Sequence, residues 1–440
     1  METKFDFFRQ WYPISPVEDL SAKQPTAIAL LGHHFVVWQS RGEGHSERAH
    51  YIAAKDECPH RLAPLSEGRI DEKTGHLMCS YHGWQFDEAG ICQRIPQADN
   101  PDLIKEKRDT FCVTTFPCQV ANGLVWLWPD AQSADLAAQT PLPLSEQVDG
   151  DKGFVWSSMV RDLAYDWQTL VENVADPSHV PFAHHGIQGN RDQAQPVPIE
   201  IVSSTPDLIE AKTQGRFNSQ ITFEPPCRLE YALDFGKDRK VGLVTYCIPT
   251  APGRSRIVAQ FPRNFAKQLH HVTPRWFEHL KTRNQVLDGD MALLQKQERT
   301  LQQRQQTESW KTAYKMPASA DRLVIEFRNW FDRYGQLTYP WKEIPTDTLA
   351  REDTLDRYHQ HTQICSSCRQ ALTQIKRLQL GLVGLFAVLI AIASLLPEAI
   401  RLPVGLPLVI VGLVGLGGAA WLKVWLEPQF YFVDYVHSKR

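Results

Sequence analysis

The chain has 440 residues, enough for two or three domains, and 22% of them are charged. Its net charge of −3 and pI of about 6.6 exclude the basic surface with which nucleic-acid-binding proteins hold phosphates. A mean hydropathy of −0.34 is typical of a soluble protein, but this average conceals two long apolar runs near the C-terminus.

Residues 1–130 are predicted to form a small all-β domain. Runs at 27–39 and 123–128 are apolar and rich in β-branched and aromatic residues, which favours short strands. The N-terminal segment shows neither the apolar core of a secretory signal nor the composition of a transit peptide. We therefore expect the soluble part to stay where it is made, with its nine cysteines as thiols or metal ligands.

Two Cys–His pairs inside this domain are the most specific signal in the chain. Cys58 and His60 form a Cys-x-His pair, and Cys79 and His82 form a Cys-x2-His pair after 18 intervening residues. Such mixed pairs are the ligand set of a Rieske 2Fe–2S cluster, in which two thiolates hold one iron and two imidazoles the other. Zinc is the alternative, although zinc fingers favour Cys–Cys and His–His pairs. The pairs predict a carrier of single electrons at roughly −150 to +300 mV.

A second domain is predicted over residues 151–345, after a polar, Ala- and Pro-rich linker at 131–150. Thr273 and Pro274 are typical of a helix start, and this helix is expected to reach about residue 306. A sheet followed by a long helix indicates an α+β domain with an antiparallel sheet. Four segments favour its strands: 208–217, 228–235, 241–250 and 256–261.

His179 and His184 are candidate ligands for a second metal in this domain. Residues five apart do not share a face on a regular helix, but Pro181 lies between them and removes a backbone donor. A distorted helix is expected to turn both imidazoles toward one ion. Two histidines and one carboxylate are the ligands of non-haem Fe(II) oxygenases, which keep open positions for O2. Ordinary surface or core histidines are the alternative.

Two uncharged runs, at 378–396 and 402–422, are each long enough to cross a hydrocarbon core of about 30 Å. The short connection between them predicts a transmembrane hairpin over 378–422, followed by a tail at 423–440; buried core helices are the alternative. The side that carries the flanking basic residues is expected to be cytoplasmic or stromal. These residues are Lys376, Arg377, Lys423, Lys439 and Arg440.

Residues 346–377 are predicted to be a helical linker that carries a Cys-x2-Cys pair, Cys365 and Cys368. With His359 and His361 nearby, a zinc site is possible, and two reduced thiols on a helix turn are the simpler interpretation. The remaining cysteines show no metal spacing and are predicted to be buried. They are Cys92, Cys112, Cys118, Cys227 and Cys247.

The segment around His179 resembles that of Rieske non-haem iron oxygenases. It reads Asn173-x2-Asp176-x2-His179-x4-His184 and follows the Cys-x-His and Cys-x2-His pairs. The pairs lack the extra disulfide-forming cysteines of Rieske subunits of cytochrome complexes. The resemblance to the pheophorbide a oxygenase branch of this family covers nearly the whole chain. It rests further on segments 172–186, 320–330 and 357–368.

This resemblance implies roles for individual residues. His179 and His184 match the iron-binding histidines, and Asp176 matches the acid that bridges to the cluster of a neighbouring subunit. Asp290 fits the third iron ligand, with Asp288 as the alternative and a solvated acid as the simplest interpretation of either. His185 is one position out of register and is predicted not to bind iron.

The resemblance also implies an activity and partners. It indicates an enzyme that uses O2 and electrons from a ferredoxin-like donor to oxygenate a chlorophyll-derived tetrapyrrole, such as pheophorbide a or a chlorophyllide. A homotrimer, a redox dithiol at Cys365 and Cys368 that a thioredoxin reduces, and a cyanobacterial thylakoid or plasma membrane location are further expectations. The alternatives are a membrane-tethered electron carrier, a redox-regulated interaction protein, and an oxygenase of another apolar substrate.

Overall fold

Three small antiparallel sheets build the N-terminal part of the protein, in strand orders β1–β11–β10, β2–β3–β4–β9 and β5–β6–β7–β8. The computed structural model describes residues 4–40, 50–100, 102, 106–213, 218–345 and 347–439. The predicted all-β domain is therefore confirmed. Its strands are β1 (Tyr12–Pro16), β2 (Thr26–Leu30), β3 (His33–Ser40), β4 (His50–Lys55), β5 (Arg69–Ile70), β6 (Leu77–Met78), β7 (Gln85–Phe86), β8 (Cys92–Arg94), β9 (Thr115–Phe116), β10 (Cys118–Ala121) and β11 (Leu124–Leu127).

A seven-stranded antiparallel sheet, in the order β12–β18–β17–β16–β15–β14–β13, forms the centre of the second domain. All four predicted strand segments are present, although residues 214–217 of the first lie outside the described residues. The prediction missed β12, β13 and β15. The strands are β12 (Ser158–Leu163), β13 (Ile199–Ser204), β14 (Ile209–Thr213), β15 (Asn218–Glu224), β16 (Arg228–Asp234), β17 (Lys240–Ala251) and β18 (Arg254–Gln260).

The missed edge strand β12 carries two charges, Arg161 and Asp162, and lacks the continuous apolar run of the strands that were predicted. In the fold both charges have partners. Arg161 pairs with Asp288 at 2.7 Å, and Asp162 pairs with Arg256 of the neighbouring strand at 2.6 Å. Ion pairs from other elements therefore make a charged strand compatible with burial, and these partners are distant in sequence.

The predicted long helix is present as two helices joined by a π-helical turn at His279–Arg283. It extends from Arg275 to Arg304, with Pro274 at its N-cap. The helices are α1 (Ala134–Gln139), α2 (Trp167–Ala175), α3 (Val180–Ala183), α4 (Lys267–Val272), α5 (Arg275–Glu278), α6 (Asn284–Arg304), α7 (Trp310–Ala313), α8 (Arg322–Trp330), α9 (Arg351–Thr354), α10 (Ser366–Leu395), α11 (Glu398–Ile400) and α12 (Leu406–Trp421).

Helices α10 and α12 contact each other along their length as a hairpin. By length and composition, α10 and the helical segment Glu398–Phe430 that contains α12 are each long and apolar enough to cross a membrane. Their leucines and valines are mostly exposed on the protein surface, as expected for lipid-facing side chains. The basic flank lies at both outer ends, although Arg440 is outside the described residues.

The main hydrophobic core extends across the boundary between the first two predicted domains. Trp11 and Trp128 of the N-terminal part belong to the same cluster as Trp167 and Tyr246 of the second. The stretch at 131–150 also packs on both parts: Thr140 accepts a hydrogen bond from Trp11 at 3.1 Å. The predicted linker therefore packs on the rest of the protein. Because the core is shared by both parts, the predicted domain boundaries stay predictions.

Two smaller cores accompany the main one. The first lies beneath the Cys58 and Cys79 loops, and the second surrounds the start of α10. Cys92, Cys227 and Cys247 are buried as predicted, and Cys118 is partly buried. The prediction was wrong for Cys112, which is exposed in a surface loop, where its thiol donates to the Asp109 carbonyl at 3.1 Å.

Candidate active site and metal centres

The two Cys–His loops have the same backbone geometry. In each, the cysteine N–H donates to the carbonyl five residues on: Cys58 to Ala63 and Cys79 to Trp84, both at 2.9 Å. In each, the residue four positions on donates back to the cysteine carbonyl and has a positive φ, 61° at Leu62 and 74° at Gly83. These tight turns present both sulfurs and both imidazoles at one end of the domain.

The sulfurs of these loops are buried, and the imidazoles lie nearer the surface. Cys58 and Cys79 are each 2% exposed, whereas His60 lies at the surface. The Nδ1 atoms of His60 and His82 are 3.1 Å apart, and His60 stacks on Trp84 at 4.8 Å between ring centroids. Burial raises the pKa of the Cys58 thiol to about 12, so its thiolate form needs a cation beside it.

His179, His184 and Asp290 converge in the second domain. The Nε2 atoms of His179 and His184 are 3.2 Å apart, and they lie 3.6 and 3.3 Å from Oδ1 of Asp290. His184 and Asp290 are nearly fully buried, whereas 23% of the His179 side chain is exposed. Two imidazoles and one carboxylate thus face a common point from one side.

The segment from 173 to 184 adopts the distorted geometry expected from Pro181. Helix α2 ends at Ala175, a 3₁₀ turn follows at Pro177–His179, and α3 provides one further turn before His184. Asp176 caps the 3₁₀ turn by accepting a hydrogen bond from the Ser178 amide at 2.8 Å. Its carbonyl also accepts from Nδ1 of His179, which leaves Nε2 of that ring free to bind a metal.

An apolar cavity of about 270 Å³ opens onto this trio. Side chains of β12, β16, β17 and β18 line it, among them Met159, Leu243 and Ile257. A second cavity of about 300 Å³, lined partly by α6, shares His179 and Asp290 with the first. The trio therefore stands between two spaces that a substrate can enter.

One cationic side chain borders the apolar cavity. Arg283, in the π-helical turn, places its guanidinium carbon 3.4 Å from the ring centroid of Phe261. Its Nε is buried and has no hydrogen-bond partner within the described part of the chain. Burial lowers the pKa of Arg283 to about 10, and the guanidinium is still charged at neutral pH.

Comparison with known proteins identifies the family. The Rieske 2Fe–2S domain family matches residues 10–117, and the pheophorbide a oxygenase family matches residues 223–308. Chloroplastic pheophorbide a oxygenase of Oryza sativa subsp. japonica is 36% identical over all of this chain and 86% of its own length. The chain belongs to the pheophorbide a oxygenase family. It is therefore a Rieske non-haem iron oxygenase, which carries a Rieske 2Fe–2S cluster and a mononuclear non-haem iron.

Two further similarities are to a plant relative in sequence and to a solved structure in fold. Chloroplastic flavonoid 8-hydroxylase 2 of Ocimum basilicum is 33% identical over 99% of this chain and 87% of its own length. The crystal structure of dicamba monooxygenase bound to dicamba has a TM-score of 0.61 at 20% identity, covering 76% of this chain and 99% of that one. The solved structure supports the Rieske oxygenase fold of the first two domains.

The donor sets fit the two groups that this oxygenase family uses. Two buried sulfurs and two facing Nδ1 atoms suit a cluster with one thiolate-bound and one imidazole-bound iron. The Nε2, Nε2 and Oδ1 atoms of the trio suit an iron with open positions. Asn173 supports the carboxylate by donating to Oδ1 of Asp290 at 3.2 Å.

Asp288, the alternative third ligand, points away from the trio. Its side chain is fully buried, with Oδ1 2.7 Å from Arg161 and Oδ2 2.8 Å from Arg357. Both oxygens are thus engaged by guanidinium groups. His185 also lies outside the trio, where its Nδ1 accepts from the Arg191 amide at 3.1 Å.

Of the two histidines expected near the cysteines of the helical linker, only His361 lies with them. His359 is exposed and pairs with Asp356, so it does not belong to their site. Instead, Cys365 and Cys368 lie with His361 and His279, and the donor atoms of all four are within 4.8 Å of one another. His279 precedes the others by about eighty residues, and no local spacing pointed to it. Arg283 was missed for the same reason.

Proposed function

We propose that this oxygenase acts on a chlorophyll-derived tetrapyrrole with a free carboxylate, such as pheophorbide a or a chlorophyllide. The observation that carries this proposal is an apolar cavity that ends at the His179–His184–Asp290 trio and has Arg283 in its wall. The rice relative, named as a pheophorbide a oxygenase, supports the substrate class. Together with its neighbour, the cavity falls within the range of about 300–1,000 Å³ usual for ligand sites.

Residue assignments follow from the donor geometry. We assign Cys58, His60, Cys79 and His82 to the cluster, which supplies single electrons when bound. His179, His184 and Asp290 would hold the iron, which supplies the activation of O2 when bound.

The chain itself positions these groups and keeps water out. Asn173 and the Asp176 carbonyl fix the orientations of Asp290 and His179. The apolar side chains of the sheet exclude water from the space beside the trio.

Arg283 is proposed to bind the substrate carboxylate. A guanidinium with a free, buried Nε beside an apolar wall is poised to form a charge-assisted hydrogen bond with an acid that enters the cavity. Pheophorbide a and chlorophyllides carry a propionate on an otherwise apolar ring, which matches this combination. The carboxylate would set which edge of the ring faces the trio.

We further propose a homotrimer in which Asp176 bridges to the cluster of a neighbouring subunit. Two large exposed side chains lie near the imidazoles of the cluster loops: Leu62, 67% exposed, follows His60 in its loop, and Tyr81, 57% exposed, packs on His82 at 4.0 Å between ring centroids. Near the trio, Phe182 is 60% exposed and Asp176 is partly exposed. The surface around Leu62 and Tyr81 on one subunit is suited to contact the surface around Phe182 and Asp176 on the next, which is a head-to-tail arrangement. The surface around Leu62 and Tyr81 also suits docking of a ferredoxin-like donor.

The helix hairpin is proposed to anchor the enzyme in a cyanobacterial thylakoid or plasma membrane, with the metal centres on the cytoplasmic side. The named relatives are chloroplast proteins, and the two apolar helices suit such an anchor. A thioredoxin that reduces a disulfide between Cys365 and Cys368 stays a prediction from the resemblance, and the buried histidines beside these thiols favour a different role for them. Both thiols are fully buried, so this reaction requires local opening.

A second candidate is hydroxylation of a smaller apolar substrate without a carboxylate. The similarity to a flavonoid 8-hydroxylase over nearly the whole chain favours this second candidate. That relative, which aligns with 99% of this chain, is named for a flavonoid and not for a tetrapyrrole. The modest size of the apolar cavity is compatible with a three-ring molecule.

The test is product mass after turnover in heavy-isotope dioxygen. Detergent-solubilised protein receives ferredoxin, its reductase, and a panel of pheophorbide a, chlorophyllides, protochlorophyllide and a flavone, with Asp290→Ala as the matched inactive control. Label in a tetrapyrrole acid supports the proposal. Label in the flavone alone supports the second candidate, and absence of label with both iron centres intact contradicts both.

A further inference from the structure

We infer that His279, His361, Cys365 and Cys368 form a structural zinc site at the junction between the catalytic domain and the membrane hairpin. All four side chains are buried, none more than 1% exposed. Two thiolates and two imidazoles are a common donor set of structural zinc, in which the protein fills all four positions. This site is separate from both iron centres and does not depend on the substrate proposed above.

The interatomic distances match those of a single tetrahedral ion. Zinc bonds of about 2.0–2.1 Å to nitrogen and 2.3 Å to sulfur place two nitrogens about 3.4 Å apart and a nitrogen and a sulfur about 3.6 Å apart. Here His279 Nδ1 and His361 Nε2 are 3.1 Å apart. Cys368 Sγ lies 3.5 Å from His279 Nδ1 and 3.3 Å from His361 Nε2, and Cys365 Sγ lies 3.7 Å from His279 Nδ1.

The surroundings orient the donors toward the centre. His361 Nδ1 donates to the Val160 carbonyl at 2.6 Å, so its Nε2 presents a lone pair to the other three side chains. Arg275 donates to Cys365 Sγ at 3.4 Å and also pairs with Asp19 at 2.9 Å. A hydrogen bond to a metal-bound thiolate and a carbonyl behind a metal-bound imidazole are typical outer contacts of metal sites.

A regulatory disulfide explains these neighbours less well. Thioredoxin needs access to a sulfur, and both thiols are fully buried beneath Leu280, Leu372 and Phe430. Two imidazoles aimed at the same two sulfurs have no role in a disulfide. Four electron-rich atoms gathered in an apolar environment are stabilised by a cation at their centre.

The site joins three elements that are remote in sequence. His361 contacts strand β12 through Val160, His279 belongs to the π-helical turn before α6, and Cys368 lies in the first turn of α10. Helix α6 carries Asp290, and α10 continues into the apolar hairpin. A zinc ion here would hold the catalytic helix and the hairpin in one arrangement.

The first experiment is elemental analysis and zinc K-edge X-ray absorption of the detergent-solubilised full chain. We expect one zinc per chain in addition to iron, with two sulfurs at about 2.3 Å and two nitrogens at about 2.0–2.1 Å. Absence of zinc, or zinc bound only by nitrogen and oxygen, would overturn the inference. This measurement uses the unmodified protein and needs no variant to fold.

Variants then test the ligands. Cys368→Ser and His279→Ala are expected to lose the zinc, whereas the matched controls Cys112→Ser and His359→Ala, at exposed positions, keep it. Retention of zinc with unchanged sulfur coordination in Cys368→Ser would contradict the assignment. Isolation of the unmodified chain without zinc, with a Cys365–Cys368 disulfide that thioredoxin reduces, would replace it with the redox interpretation.

Discussion

Two candidate metal sites of opposite character lie along one helical segment. Asp290 of α6 and His279 of the preceding π-helical turn belong to the same continuous helical segment, yet their surroundings differ. The trio offers three donors, borders two cavities and keeps His179 partly exposed. The proposed zinc site offers four donors, all buried.

The difference shows how the number of donors and access decide what a metal can do. A fourth protein ligand completes a tetrahedron and leaves no position for a small molecule, so such an ion holds the structure together. Three donors on one side leave open positions, and the neighbouring cavities let O2 and a substrate reach them. The following predictions test this contrast, from the largest expected effect to the smallest.

Asp290→Ala is expected to reduce turnover to background, because two imidazoles alone hold iron poorly. Iron should fall by one per chain, while zinc and the EPR signal of the reduced cluster stay unchanged. Asp192→Ala, at an exposed acid in the loop after His184, is the control and should behave like the unmodified protein. Full activity in Asp290→Ala would assign the third ligand elsewhere.

Asp288→Ala is expected to destabilise the fold by about 3–5 kcal/mol, because it leaves two buried guanidinium groups without their carboxylate. Denaturant or thermal unfolding measures the loss. The control is Glu200→Ala, which breaks an exposed pair with Lys212 and should cost about 0–1 kcal/mol. A stable Asp288→Ala protein that lacks the mononuclear iron would reverse the roles of the two acids.

Asp176→Asn is expected to retain both iron centres and to slow turnover by about 10–100-fold, as for other groups that contact metal ligands. The carbonyl that orients His179 is unchanged, and the Asn side chain keeps an oxygen that can accept from the Ser178 amide, so the main change is the loss of the carboxylate charge. Stopped-flow oxidation of the reduced cluster, with iron analysis in parallel, measures the effect. Electron transfer at the normal rate would remove the bridging role.

Arg283→Leu is expected to raise the KM for a tetrapyrrole acid about tenfold or more, since a charge-assisted hydrogen bond contributes roughly 1.5–3 kcal/mol. The KM for the corresponding methyl ester should not change, and Arg283→Lys should recover part of the affinity for the acid. Steady-state kinetics with both substrates provides the measurement. Equal losses for acid and ester would indicate a packing role instead.

Glu298→Gln should remove a pH dependence of stability that concerns neither site. Burial raises the pKa of Glu298 from 4.5 to about 7, with Asp166 adding to the shift. The folded state therefore keeps a proton that the unfolded state releases, and stability is lost as pH rises through 7. Between pH 6 and 8 the free energy of unfolding of the unmodified protein should fall by about 1 kcal/mol, and that of the variant should not show this fall. Identical pH profiles for the two would contradict this.

Site residues that lie close together in the sequence were easier to predict than residues that are far apart in the sequence. The Cys–His pairs and the His179–His184 pair are local, and their spacing alone indicated a cluster and an iron. Asp290 lies more than a hundred residues further on, and only the resemblance to a family singled it out. His279 and Arg283 owe their positions to a π-helical turn packed on other elements, and no periodicity in the sequence indicates such a turn.

The fold class was predictable because hydrophobic patterns dominate it. The four strand segments named for the second domain and the two apolar helices were found, whereas β12, β13 and β15 were missed. The charges of β12 are paired with Asp288 and Arg256, which are distant in sequence. His359 was considered a neighbour of the two cysteines because it is close in sequence. The helical turn places it on the surface and His361 inside.

The path of the chain after the hairpin has a mechanical consequence. Beyond α12 it returns to the catalytic domain, where the Tyr435 hydroxyl donates to the Ala183 carbonyl at 2.7 Å. Its ring packs so closely on Gly289 that a Cβ there would meet it at 3.0 Å. The hairpin is thus connected to the catalytic domain through both of its ends, and in a bilayer these two attachments would restrict the height and angle of the cavity entrance.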